Sequence, residues 1–313
     1  MVLDLVWNEK YRPQTVEECI LPERLKTFFG GMVERKELQG YTAFGSAGSG
    51  KTSCSKALCK SLGYDYLLIN ASEDRNIDTV RTTIRDYGSS RSLMSDMKCV
   101  ILDEADALAP ASQNALRSMI EEFAGTCRFI LTANFPNKII DPLLSRCPLV
   151  DFTYSKTEKS ELVVQFGKRL KKILDAEKIE YDIDQVMTLV LRYFPDFRKI
   201  INLVQRYSVT GTLKISNVQA LEDDAVDALL GMLKNREFSK MRKWVAENFD
   251  IDGSQLRRHL YDRGFHVFSP ECVPEIILLL AQYDYKESFV ADREINTVAM
   301  LSEIMATAQF KEK

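Results

Sequence analysis

The octapeptide Gly45-Ser46-Ala47-Gly48-Ser49-Gly50-Lys51-Thr52 has the residue types and spacing of a loop that wraps a phosphate chain. Its glycines let the backbone turn N–H groups inward, and the positive end of a following helix adds to the attraction for an anion. Lys51 is placed to reach the β- and γ-phosphates of a nucleotide, and Thr52 to ligate Mg²⁺. Gly45, Gly48, Ser49, Gly50, Lys51, Thr52 and Ser53 are therefore the candidate phosphate ligands. A second stretch, Cys99-Val100-Ile101-Leu102-Asp103-Glu104-Ala105-Asp106, ends an apolar run in carboxylates. In an open α/β fold such a run delivers its acids to the carboxyl edge of the sheet, where ligands bind. Asp103 is expected to hold Mg²⁺ through water. Glu104, adjacent and free of the metal, is expected to polarise an attacking water. Together the two stretches point to hydrolysis of a nucleoside triphosphate.

These residues work only if particular elements carry them. Tyr41–Phe44 reads as a short strand ahead of the loop, and Thr52–Ser61 as the helix behind it, with Cys54, Ala57 and Leu58 at helical spacing. Tyr66–Ile69, Cys99–Leu102 and Arg128–Thr132 are further strand candidates. Ala111–Phe123 is a helix with Ala115, Leu116, Met119, Ile120 and Phe123 on one stripe. Short apolar runs separated by helices predict a parallel sheet covered on both faces. Beyond about Tyr154 the strand pattern fades. Lys159–Lys178 reads as a long amphipathic helix, with Leu162, Val163, Phe166, Leu170 and Ile173 on one side. Val186–Tyr193 and Phe197–Tyr207 follow, with Pro195-Asp196 between them as a stop and an N-cap. After the acidic Glu222-Asp223-Asp224 only helical stretches remain: Val226–Leu233, Lys240–Phe249, Ser254–Tyr261, Pro270–Gln282 and Asp292–Met305. The expected fold class is α/β. A nucleotide-binding domain spans residues 1–154, a helical lid 155–223 and an all-helical domain 224–313.

Composition bounds the rest. At about 100–200 residues per domain, the chain's 313 residues make two or three domains. Hydrophobic residues make up 45% and charged residues 28%, which excludes a disordered or fibrous chain. With 42 basic and 45 acidic residues the net charge is −3, so contact with a nucleic acid cannot rest on bulk charge and must use a few placed groups. No apolar run approaches the roughly 18 residues of a membrane span, and Met1–Trp7 lacks the basic leader of a signal peptide. The seven cysteines show no CxxC spacing, and only His259 and His266 could join them, so a zinc site is not expected. They read as reduced, mostly buried small side chains of a cytoplasmic protein.

Asp103-Glu104-Ala105-Asp106 also spells the signature of DEAD-box RNA helicases. Those enzymes carry two tandem sheet domains, whereas the second half here is helical. An AAA+ ATPase, with an α/β domain followed by a helical lid, fits better. Within that class the chain resembles the sliding-clamp-loader ATPase subunits over almost its whole length, with the motifs in order. Asn8-Glu9-Lys10-Tyr11-Arg12-Pro13 resembles their N-terminal adenine-binding box, and Glu18-Cys19-Ile20-Leu21-Pro22 follows at the family spacing. Thr132-Ala133-Asn134 resembles the sensor-1 segment, Ser145-Arg146-Cys147 the arginine-finger motif, and Phe194-Pro195-Asp196-Phe197-Arg198-Lys199 the sensor-2 helix start. The Glu-Cys-Ile-Leu-Pro and Phe-Pro-Asp-Phe-Arg-Lys strings are most similar to the large subunits of T4-type phage loaders, in which case the protein works in the infected bacterial cytoplasm. Cellular replication factor C small subunits are the nearest alternative, and a module that keeps ATP as a structural ligand is another. Ser46-Ala47 lacks the prolines usual in the family loop, which leaves the Lys51-Thr52 chemistry intact.

The resemblance implies ATP and Mg²⁺ as ligands. Asn8, Glu9, Lys10, Tyr11, Arg12 and Ile20 would then lie around the adenine, Asn134 would position water, and Arg198 would touch the γ-phosphate from the lid. Arg146 would act in the site of a neighbouring subunit. It further implies a sliding clamp and primer–template DNA as partners. The assembly would be a pentamer of copies of the chain plus a smaller companion subunit, held by the last domain as a collar. Arg75, Arg81 and Arg85 are the candidates for DNA contact, and Arg75 for reporting that contact to Glu104. Gln113 and Arg117, four apart on one helix face, are expected as a polar pair near the base of the site that couples the DNA-facing helix to Glu104 and the neighbouring subunit. Leu93 and Met94 are candidates for touching the clamp. No membrane is involved.

Overall fold

Five short runs of aliphatic and aromatic residues form one parallel sheet: β1 (Tyr41–Phe44), β2 (Asp65–Asn70), β3 (Lys98–Asp103), β4 (Cys127–Ala133) and β5 (Leu149–Asp151). Their spatial order is β2-β3-β4-β1-β5. This is a computed structural model, and it describes residues 6–73, 77–90, 97–213, 226–247, 253–287 and 289–311. The chain divides into two compact units, Met1–Ile215 and Ser216–Lys313.

In the first unit, helices α1 (Trp7–Lys10), α2 (Glu23–Arg35), α3 (Lys51–Leu62), α4 (Ile77–Ser89), α5 (Pro110–Glu122) and α6 (Asp141–Leu144) accompany the sheet. Residues 99–102 of β3 are fully buried and alternate between two cores. Cys99 and Ile101 join Phe29, Leu58 and Ile130 on one face, while Val100 and Leu102 join Ile84, Leu116 and Phe129 on the other. This period of two, with both faces apolar, is why the parallel strands read as continuous hydrophobic runs. The register pairs Phe44 with Ala133 and Asn70 with Asp103, so the strands finish along one carboxyl edge.

The lid follows within the same unit. It comprises α7 (Lys156–Ala176), α8 (Ile183–Tyr193) and α9 (Phe197–Tyr207), with the short parallel strands β6 (Glu180–Tyr181) and β7 (Thr212–Leu213). Ser155 and Glu158 form a capping box at the start of α7, and the Asp182 and Asp196 carboxylates cap α8 and α9.

The second unit contains the helix over 226–234, called α10, then α11 (Phe238–Glu247), α12 (Gly253–Val267), α13 (Val273–Glu287) and α14 (Arg293–Thr307). Leu229, Leu233, Met241, Leu260, Ile276, Leu301 and Ile304 fill its core. Arg257, 5% exposed, pairs with Asp284 and Glu287, and Asn296 donates to Glu287, which ties α12, α13 and α14 together. All seven cysteines are free and buried. Among the described residues no helix is long and apolar enough to cross a membrane.

The structure adds elements to the expected pattern. β5 has three residues and β6 and β7 two each, too short for a period to register. α12 runs on past Tyr261 to Val267, because Gly264 packs against the Phe268 ring instead of ending the helix. The boundary expected at 223/224 lies outside the described residues.

Candidate active site

The loop between β1 and α3 turns through Gly48 (φ 72°) and Gly50 (φ 92°), left-handed conformations that a side chain would strain. Gly50 caps α3, so Lys51 opens that helix and is almost fully buried. Its Nζ donates to the carbonyls of Gly45 and Ser46, both at 2.8 Å, and to Asn134 Oδ1 at 3.0 Å. Burial pulls the Lys51 pKa below the ordinary lysine value, against the opposing pull of Asp103 and Asp106. One turn of the loop thus brings together a cation and the amide that ends β4.

Asp103, the last residue of β3, accepts from Thr52 Oγ1 and Thr132 Oγ1, both at 2.6 Å on the same oxygen. Thr132 Oγ1 in turn accepts from the Glu104 N–H at 3.0 Å. That chain of bonds seats the next residue. Glu104 adopts φ 56°, unusual for a residue with a side chain, and is exposed on the pocket wall. Asp106 Oδ2 accepts the N–H groups of Asn134 and Phe135 at 3.1 and 3.0 Å and so fixes the turn after β4. The hydroxyl of Thr52 and the carboxylate of Asp103 are hard oxygen donors side by side, a donor set that suits Mg²⁺. A carboxylate beside them, held clear of that pair, can act on a water.

The lid closes the same pocket, whose volume is about 400 Å³. The Phe197 N–H donates to the Gly48 carbonyl at 3.1 Å, and a Cβ on Gly48 would lie 1.9 Å from Asp196 Oδ1. Arg198, exposed in the first turn of α9, lines the pocket close enough to Lys51 to add to the lowering of its pKa. At the far end the pocket is lined by Asn8, Glu9, Tyr11, Arg12, Ile20 and Asn202. Lys10 Nζ and Tyr11 Oη both donate to Glu177 Oε1 at 2.6 Å, and Arg12 pairs with Glu9.

Residues 41–153 match the ATPase family associated with various cellular activities (AAA), and residues 158–216 match the sliding-clamp-loader large subunit, AAA+ ATPase lid domain. The chain is 31% identical to the sliding-clamp-loader large subunit of Enterobacteria phage T4, over 98% of this chain and 97% of that one. The chain belongs to the sliding-clamp-loader ATPase family. It is also 33% identical to the large subunit of Escherichia phage RB69, over 98% and 97%, and 30% identical to the replication factor C small subunit of Methanosphaera stadtmanae, over 97% and 98%. At 14% identity, a RuvB variant from Thermotoga maritima shares the fold alone, with a TM-score of 0.54 over 75% of this chain and 85% of that one.

Other candidate residues of this AAA+ ATPase lie away from the pocket. Arg146 sits after α6, with its Nε on Glu121 Oε1 at 2.9 Å, an ion pair that holds the Glu121 carboxyl below its ordinary pKa. Arg81 and Arg85 are exposed one turn apart on α4, and Arg85 reaches Glu122 at 3.5 Å. Arg75, Leu93 and Met94 lie outside the described residues. Gln113 differs most from expectation. It is 1% exposed and packs inward among the apolar residues of α5, so Gln113 and Arg117 do not form a polar pair at the site. Its Nε2 donates to the carbonyls of Leu108 and Lys138 at 3.0 and 2.8 Å, and its Oε1 accepts from the Ile140 N–H at 2.9 Å.

Sequence reasoning also passed over Thr132 and Asp106 as site residues, and Phe197, Asn202, Arg169 and Glu177 on the lid. The hydroxyl of Thr132 and the acid of Asp106 were within reach, since β3 and β4 end at the same edge. The lid residues carry no local signal, because their partners lie about 150 to 200 residues away in the chain.

Proposed function

We infer that this chain hydrolyses ATP to open a ring-shaped sliding clamp and seat it on primer–template DNA. It does so within a pentameric ring of its own copies and a smaller companion subunit. The observation that carries the reading is the meeting of Lys51, Thr52, Asp103 and Glu104 with lid residue Arg198 around one pocket. That arrangement lets one nucleotide bind the sheet and the lid together.

In this reading the phosphate loop, from Gly45 to Ser53, cradles the triphosphate with backbone N–H groups, and Lys51 leaves the loop carbonyls for the β- and γ-phosphates. Thr52, and Asp103 through water, would hold Mg²⁺, which would supply positive charge to offset that of the triphosphate. Glu104 orients and polarises the attacking water, and Asn134 holds that water in line. Arg198 draws the lid toward the γ-phosphate. Arg146 leaves Glu121 and stabilises the charge that develops in the neighbouring subunit's site. Arg81 and Arg85 meet DNA phosphates, a few per subunit, which a chain of charge −3 can supply when several copies share a duplex. Residues 1–154, 155–223 and 224–313 divide the work into catalysis, sensing and assembly.

The test is ATP turnover measured alone, with purified clamp, with primer–template DNA, and with both. The largest rate is expected with both. A rate indifferent to clamp and DNA would fit a module that keeps ATP as a structural ligand and would sink the loader reading.

A further inference from the structure

The N-terminal segment that lines the far end of the pocket is bonded to the lid. Trp7 N–H donates to Gln205 Oε1 at 3.1 Å, and the Asn8 amide donates to Asn202 and to the Arg198 carbonyl. Arg198, Asn202 and Gln205 are spaced four and three apart, one face of α9. A second lid helix grips the same segment. Arg169 and Glu177 lie eight residues apart, on one face at the C-terminal half of α7 and its cap. Glu177 accepts from Lys10 and Tyr11. The half-buried Arg169 guanidinium donates through Nη2 to the Tyr11 carbonyl at 2.7 Å and through Nη1 to the Glu18 carbonyl. It therefore bridges the two ends of the loop that carries Tyr11 and Ile20. The loop also meets the sheet body: Gln14 accepts from Lys60, the Val16 N–H donates to Ser61, and Val16 and Cys19 pack in one core with Cys54 and Leu58.

We propose that Arg169 is a positioning residue for the nucleotide base: it splints the Tyr11–Ile20 loop onto the lid, so the base cover is fixed by the lid as well as by the sheet. This rests on the reading of the pocket as an ATP site with its base under Tyr11. Two carbonyl acceptors facing one guanidinium need its fixed fork; a lysine ammonium keeps the charge but holds the pair less well. The phosphate loop lies at the other end of the pocket and makes no bond to Arg169.

The experiment compares the affinities of the full chain for ATP and for inorganic tripolyphosphate, each with Mg²⁺. Wild type, Arg169→Gln, Arg169→Lys and Glu177→Gln are measured. The wild type is expected to favour ATP strongly. Arg169→Gln should weaken ATP binding about tenfold and leave tripolyphosphate within about twofold, because the base feels only part of the two hydrogen bonds lost from a charged donor. Arg169→Lys should fall between the two, and Glu177→Gln should weaken ATP alone, by about threefold. An unchanged preference for ATP in Arg169→Gln overturns the proposal. So does equal loss of both ligands, which would make Arg169 a support of the whole fold. A wild type that binds both ligands alike would instead remove the base reading beneath the proposal.

Discussion

The two ends of the nucleotide pocket are built differently. The phosphate end stands on the carboxyl edge of the sheet: Lys51, Thr52, Asp103, Thr132 and Asn134 come from three adjacent parallel strands or the turns that leave them. The end proposed to hold the base is assembled from a short N-terminal helix and two lid helices, joined by side-chain bonds to partners far away in the chain. The first is positioned by backbone pairing and buried packing, which tolerate little displacement. The second depends on polar contacts at half-exposed side chains, each contributing little alone. In the proposed function, chemistry that needs sub-ångström placement therefore sits on the sheet, and recognition of the base draws on the lid.

The largest expected effect breaks the comparison at the phosphate end. Glu104→Gln keeps the shape of the side chain and removes the base. It should lower kcat by about 10²–10⁴-fold while ATP affinity holds. Steady-state turnover and equilibrium binding on the same preparation separate the two. Turnover close to wild type would remove Glu104 from the water-activating role.

Gly48→Ala tests whether the two ends communicate. The added Cβ would meet the Asp196 carboxylate at 1.9 Å, and its backbone would have to stay at φ 72°. Strain of about 1–3 kcal/mol is expected, relieved by lifting the start of α9 from the phosphate loop. ATP affinity should fall roughly tenfold, and Arg198 should lose its place over the phosphates. If ATP binds Gly48→Ala as tightly as wild type, the lid is not seated on the loop through this contact.

What could be read in advance follows the same division. The phosphate loop and the Asp103-Glu104 pair are contiguous, and each lies next to a strand whose apolar run identifies it, so the fold class and the phosphate end were legible together. β5 pairs with β1 through only three residues, and so short a stretch carries no period. Arg169 and Glu177 sit in a helix rich in charge, where nothing local sets them apart from the solvated lysines around them. Gln113 misled for a physical reason. The four-residue spacing to Arg117 is a rule about faces, and a polar side chain on the inward face is identified only by the backbone groups waiting there.

Gln113 supplies the smallest and most discriminating prediction. Its amide has two N–H donors and one oxygen acceptor group. Both donors serve the Leu108 and Lys138 carbonyls, and the oxygen serves the Ile140 N–H. No donor is left to reach Glu104 directly, so any coupling through this side chain would pass by the backbone groups it holds. Its work is to hold the turn before α5 against the turn before α6. Gln113→Ala leaves one buried and two part-buried backbone groups without this partner, at a cost of about 1–3 kcal/mol, and lowers the melting temperature by about 2–4 °C for each kcal/mol lost. Below that temperature the ratio of DNA-stimulated to basal ATP turnover should match wild type. A variant that melts normally but loses its response to DNA would reverse this assignment and return Gln113 to the coupling path.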